Sequence, residues 1–183
     1  MDAGAGATEE EKVVLVDADD IPTGLAAKTE AHRLGLRHRA ISIIVRNARR
    51  ELLIQRRSQA KYHSGGLWAN ACCSHPRPGE SGLDAAHRRL PEELGFDCPL
   101  APLFTTRYRA ILDNGFIENE FVHAFAGAYD GPVAPASAEV SEWRWIGFAA
   151  LEQDRRARPD AYAVWFRHYL DAHGDVIAGW LKA

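Results

Sequence analysis

The stretch Glu80-Ser-Gly-Leu-Asp-Ala-Ala-His-Arg88-Arg89-Leu90-Pro91-Glu92-Glu93-Leu94-Gly95-Phe96 reads as a capped helix that gathers carboxylates. Ser81 can serve as N-cap, with Asp84 three residues on, and Gly95 is a C-terminal stop, so the spacing predicts a helix over 81–94. Pro91 lies inside it and is expected to kink or loosen it, because its ring removes a backbone donor and clashes one turn back. A loop and helix that collect carboxylates suit Mg2+, a hard ion that takes oxygen ligands and shares its other positions with water and phosphate. Glutamates at this spacing, taken alone, equally describe a solvated charged helix.

The flanks of this helix set the fold class. Upstream, Lys12–Asp17 reads as a strand, followed by a turn around Asp19–Pro22. Arg39–Val45 and Glu51–Arg56 are β-rich runs joined by the polar residues 46–50, which is a hairpin signal. Residues 58–80, with their glycines and prolines, read as a long ordered loop, and loops of that length inside a compact domain are usually functional. Downstream, Thr105–Leu112 and Glu120–Tyr129 are strand-like and meet at Asp113-Asn114-Gly115, a turn signal. A strand at Glu142–Ile146 and helices near 148–154 and 159–173 complete the chain. Strands interrupted by helices in this order predict an α+β fold, a mixed β-sheet core flanked by helices.

With 183 residues, 46% of them hydrophobic, one domain with a sizeable core is expected over 13–183, after a frayed N-terminal tail at 1–12. A net charge of -3 gives no general attraction for nucleic acid, so an anionic substrate would need a local cluster of bases. Three cysteines, two of them adjacent, make no disulfide framework and fit a reducing cytosol. No run approaches the roughly 20 apolar residues of a membrane span, and the N-terminus lacks the pattern of a secretory signal. The expectation is a cytoplasmic protein, monomeric or a weak homo-oligomer, with no nucleic-acid or membrane partner.

Two further segments carry chemistry. One is Gly65-Gly-Leu-Trp-Ala-Asn-Ala-Cys72-Cys73-Ser-His75-Pro76; the other is Tyr108-Arg-Ala110 followed by Glu118-Asn-Glu120. Residues two apart on a strand face the same side, so Cys73 and His75 could share one site, and Glu118 and Glu120 likewise. Two carboxylates with imidazoles nearby are a divalent-metal constellation. His63, His87, His123, His168 and His173 read as surface or structural residues.

The helix resembles the Nudix box, in which a glycine, five residues and a glutamate precede seven residues and an Arg-Glu-aliphatic-x-Glu-Glu-x-Gly run. Ser74 stands where the box has its first glycine, and Arg89 replaces the first glutamate of the pair. A guanidinium in that place reduces the metal-holding capacity and offers a fork to a diphosphate. The two other segments are similar to the Thr-Asn-x-Cys-x-His-Pro and Tyr-Arg-Ala-x7-Glu-Asn-Glu hallmarks of the type 1 isopentenyl-diphosphate isomerases, with Ala69 in place of the threonine. That resemblance covers nearly the whole chain.

The resemblance implies a Nudix fold and reversible isomerisation of isopentenyl to dimethylallyl diphosphate through a carbocation-like intermediate. It makes Cys73 and Glu120 the proton-transferring pair, with Tyr108 hydrogen-bonded beside them. His32, His38, His75, Glu118 and Glu120 would hold a divalent ion (Mn2+, Zn2+ or Mg2+). Glu93 would meet a Mg2+ on the substrate diphosphate, and Lys28, Arg57, Lys61 and Arg89 would bind the diphosphate itself. The face of Trp165 would stabilise the cation. Two other readings compete: a diphosphohydrolase on the same scaffold, which has no use for the cysteine motif, and a non-catalytic metal- or nucleotide-binding module, which needs neither Cys73 nor Glu120.

Overall fold

The structure, a computed structural model, describes residues 10–183. Residues 1–9, most of the expected tail, lie outside the described residues. Glu10 and Glu11 lead into β1, which begins at Lys12.

The organising element is β3 (His38–Arg46). Its residues Ala40 to Val45 form an almost continuous apolar run, as a strand covered on both faces requires. Alternation sends Ala40 and Ile44 into one core cluster and Ile41, Ile43 and Val45 into the other. β3 pairs in parallel with β8 (Ile117–Ala128) from His38↔Glu120 to Arg46↔Ala128, and β8 pairs antiparallel with β7 (Leu100–Ile111). The turn between β7 and β8 lies at 112–116, where Gly115 takes φ 81°.

The runs expected to form a hairpin are both strands, β3 and β4 (Glu51–Arg57), yet they pair only at Arg46↔Leu52. Beyond that point β4 leaves for its own partners, β5 (Trp68–Asn70) and β9 (Val140–Gly147), while β3 pairs with β6 (Cys72–Ser74). The expected loop at 58–80 therefore contains two three-residue strands. They are too short to show a period, and distant partners on β3 and β4 supply their hydrogen bonds. Before β3 lie β1 (Lys12–Val16), β2 (Pro22–Ala27) and α1 (Lys28–Leu34). The last two have no clear sequence signature, since β2 is largely exposed and α1 is only seven residues long.

The boxed helix is α2 (Gly82–Leu94). Ser81 Oγ accepts from Asp84 N at 3.1 Å, and Gly95 closes the helix with φ 76°. Pro91 does not end the helix, which continues to Leu94. The proline is exposed, so the carbonyl it leaves without a donor one turn back can meet solvent. α2 buries Ala85, Ala86, Leu90 and Leu94 against one face of the sheet. The other face is covered by α3 (Phe148–Ala157) and α4 (Val164–Lys182), joined by a short 3-10 turn at Pro159–Ala161. The last helix thus starts later than expected and runs past residue 173; His173, with φ -132°, interrupts its regular backbone.

Candidate active site

Strand register builds the site. Glu120 lies between two partners in one cross-strand row, Tyr108 on β7 and His38 on β3. Tyr108 donates to Glu120 Oε2 at 2.7 Å, and His75 Nε2 stands 3.1 Å from Glu120 Oε1, with His38 Nε2 3.7 Å from the same oxygen. Glu118, two residues earlier on β8, turns to the same side. Its Oε2 is 3.4 Å from His32 Nε2 on α1. All five proposed ligands are buried: His32 and His38 completely, His75, Glu118 and Glu120 nearly so.

Cys73 faces the same region because β6 places it opposite Ser42 on β3. Its thiol donates to Asn70 Oδ1 at 3.3 Å and lies 3.5 Å from Ser42 Oγ. Asn70 is held in turn by its amide hydrogens, shared among Ser42 Oγ, the Ile43 carbonyl and the Cys72 carbonyl at 2.9–3.0 Å. Asn70 is part of the quoted cysteine motif, whereas nothing in the sequence singles out Ser42.

Burial and neighbours shape the protonation of these groups. Burial pushes the Cys73 thiol up to about 12, against the bonds from Ser42 and Asn70, so it keeps its proton. Burial raises Tyr108 well above the usual phenol range, and the two glutamates add to this. Burial also opposes charge on Glu120, but the neighbouring imidazoles of His38 and His75 outweigh it and hold the carboxyl well below the usual range. Glu118 is pushed up by burial and then by the charge of Glu120. Burial lowers His75 to about 4, leaving a neutral imidazole with a free lone pair. For His32 burial acts downward, and the nearness and charge of Glu118 outweigh it in the upward direction.

The donor set fits a divalent cation. His32 Nδ1 lies 2.7 Å from the Lys28 carbonyl and His38 Nδ1 lies 2.8 Å from the Leu36 carbonyl, so each ring commits its N–H there. This fixes the tautomer and leaves Nε2 as the coordinating atom, the arrangement by which outer carbonyls orient metal-bound histidines. Those two Nε2 atoms and Glu118 Oε2 are buried and have no hydrogen-bond partner among the described residues. Ligand atoms of His32, His38, His75 and Glu120 lie within 4.8 Å of one another, and so do those of His32, His63 and Glu118. His63, read from sequence as a structural residue, therefore sits in the cluster; its signal was its closeness to Lys61.

Cys73, His75, Tyr108, Glu118, Glu120, Glu93 and Trp165 line one cavity of about 50 Å³, together with Lys28, Arg57, Lys61 and Arg89. Small-molecule pockets usually reach roughly 300 Å³ or more, so the site as it stands is narrow around its reactive groups. Three of the bases hold carboxylates. Lys28 pairs with Glu11 at 2.9 Å, Arg89 with Glu92 and Glu93 at 2.6 Å, and Lys61 with Glu139. Glu139, unmarked in the sequence, also lies 3.6 Å from Arg89. Arg57 instead lays its guanidinium over the Trp165 ring at 5.1 Å, and its Nε has no partner among the described residues. Arg88 and Glu80 bind each other in a fork at 2.7–2.8 Å, which withdraws Glu80 from the metal-binding side.

Residues 36–168 match the family described as the NUDIX domain. The chain is 50% identical over 165 residues to the isopentenyl-diphosphate Delta-isomerase of Burkholderia multivorans, covering 90% of this chain and 94% of that protein. It is 48% identical over 156 residues to the protein of the same name from Pectobacterium atrosepticum, covering 85% and 87%. In three dimensions it is similar to DR0079 from Deinococcus radiodurans, with a TM-score of 0.73 at 20% identity over 89% of this chain and 99% of that one. This last likeness concerns the fold alone.

Proposed function

The chain belongs to the Nudix superfamily and, within it, to the type 1 isopentenyl-diphosphate Delta-isomerases, and we propose that the narrow His/Glu/Cys cavity is where it moves the double bond. The enzyme interconverts isopentenyl and dimethylallyl diphosphate. An alkene is a weak base, so the reaction needs a strong acid on one side, a base on the other and exclusion of water. The observation that carries the reading is the meeting of Cys73 and Glu120 in one cavity. One group keeps its proton and the other is held ionised, the starting condition for adding a proton at one carbon and removing one elsewhere.

Asn70 and Ser42 orient the thiol, and Tyr108 donates to Glu120 Oε2 and orients its carboxylate. A divalent ion held by His32, His38, His75, Glu118 and Glu120 would withdraw electron density from Glu120 and strengthen its conjugate acid. Imidazole and carboxylate ligands together suit Mn2+, Zn2+ or Mg2+. Glu93, with Gln55 Nε2 3.2 Å from its Oε2, is placed to meet a Mg2+ carried on the diphosphate. Lys28, Arg57, Lys61 and Arg89 then exchange their present partners for phosphate oxygens. Trp165 presents its ring to the cavity to favour the developing cation.

Residues 13–183 act as one catalytic domain. The three free thiols support a cytoplasmic location, and no helix among the described residues is long and apolar enough to cross a membrane. The partner is a small diphosphate, and the active form is a monomer or a weak homo-oligomer. Incubation with isopentenyl diphosphate and Mg2+ in heavy water, followed by NMR, tests the assignment. Deuterated dimethylallyl diphosphate is the expected product. Released phosphate would mean hydrolysis, and unchanged substrate under every divalent metal would leave only a binding protein.

A further inference from the structure

His63 sits in the segment 58–67, which links β4 to β5. This segment is a partition. Lys61, Tyr62 and His63 line the reactive cavity on its inner side and an outer cleft of about 470 Å³ on the other. Its neck is closed by backbone bonds from Arg57 N to the Leu67 carbonyl and from Gly66 N to the Arg57 carbonyl. Gly66 takes φ 78°, and a Cβ there would come within 2.3 Å of the Gln59 amide, so the neck needs glycine. Bases read as diphosphate-binding stand at the neck (Arg57) and within the segment (Lys61).

What reaches inward from its middle is the imidazole of His63. The residue is 9% exposed, and its Nδ1 lies 3.2 Å from Ser64 Oγ. Its Nε2 is directed at Glu118 Oε1 at 3.4 Å. The other oxygen of Glu118 faces His32 Nε2 at the same distance, and the two imidazoles are stacked with their centroids 5.9 Å apart. Glu118 is thus bracketed by a ring nitrogen at each oxygen in a buried place. With the N–H of His32 committed at Nδ1 to the Lys28 carbonyl, the lone pairs of His32 Nε2 and Glu118 Oε2 face each other without a hydrogen bond, and a cation between them would satisfy both.

His32 belongs to both ligand groups, the one with His63 and Glu118 and the one with His38, His75 and Glu120. It has one free nitrogen, which can bind one ion. The two groups are therefore two sides of a single centre. We propose that His63 is a further ligand of the ion at this centre, and that through it the ion fastens the segment 58–67 over the substrate cavity. The inference rests on the metal centre described above and adds to it a link between metal binding and the segment that carries Lys61. A fourth imidazole also tilts the donor set toward Mn2+ or Zn2+ and away from Mg2+.

The test uses Mn2+ alone, without substrate, on the full chain and on His63→Ala and His63→Gln, the second keeping more of the side-chain volume. Circular dichroism in EDTA establishes that the variants are folded. Three readouts are taken: amide hydrogen exchange across 58–67, the count of histidine nitrogens coupled to Mn2+ in pulsed EPR, and Mn2+ affinity by competition with a chelator. In the native chain Mn2+ should slow exchange across 58–67. Both variants should lose that slowing, show one fewer coupled nitrogen and bind Mn2+ about tenfold more weakly or worse. Equal protection of the segment and an unchanged nitrogen count would overturn the His63 assignment while leaving the centre in place. Failure of the native chain to bind Mn2+ would overturn the centre and His63 together.

Discussion

Cys72 and Cys73 are neighbours in the chain and opposites in the fold. Within β6 successive side chains alternate, so Cys72 packs beneath α2 with no exposure while Cys73 opens to the cavity. Cys73→Ala is expected to lower kcat by about 10³-fold, the scale of a lost proton-transfer group. Cys72→Ala should keep turnover within a few-fold and lose about 1 kcal/mol of stability from the small gap it leaves. Steady-state kinetics and urea unfolding of the two variants measure this, and equal kinetic losses would place the reacting thiol wrongly. At this scale much of the site is legible in the sequence, because Cys73-Ser-His75 and Glu118-Asn-Glu120 keep their reactive residues two apart. Glu139 was not legible and His63 was marked only by its closeness to Lys61, since each enters the site from a connecting segment whose path local residues do not set.

Among the elements, α2 follows from its own residues: Ser81 caps it and Gly95 ends it. The junction of β9, α3 and the 3-10 turn depends instead on contacts across elements. Asp154 accepts from Arg144, from Arg158 through a fork and from the Tyr162 hydroxyl, all at 2.7–3.0 Å. The bonds from Arg158 and then Tyr162 hold its carboxyl below its ordinary value of 3.8. The carboxylate therefore contributes stability above that value, and the contribution fades as pH falls through the lower folded value. Because Asp154 is only half-buried and its Arg158 partner is exposed, Asp154→Asn should cost no more than about 1 kcal/mol at neutral pH. The gap to the native chain should close as pH falls further below that ordinary value. Thermal melts of both proteins across this range check the sign, and a gap that widened in acid would contradict it.

For the molecule as a whole, the proposed metal centre draws on α1, β3, β8 and the segment after β6, parts that a single ion would hold together. A ligand that binds only the folded state at a hundred times its Kd adds about 2.7 kcal/mol. For a chain of this size that corresponds to roughly 5–10 °C in Tm. Mn2+ or Zn2+ should raise Tm by that order, EDTA should reverse the rise, and His38→Ala should remove most of it. Scanning calorimetry decides, and a Tm indifferent to metal would rule out a stabilising centre.

The sequence by itself determined the carboxylate helix and its caps, most strands of the sheet, and the two motifs that hold the thiol and paired glutamates. These depend on interactions within a few residues, through capping, alternation and turns. Only the tertiary structure decided the departure of β4 from β3, the short strands β5 and β6, and the placing of residues 61–63 along the cavity. These features depend on hydrogen bonds and ion pairs between residues far apart in the chain, and local pattern does not encode that pairing. The helix at 80–96 gave the first sign of a diphosphate site, and folding tied Arg89 to Glu93 and set both beside Glu139.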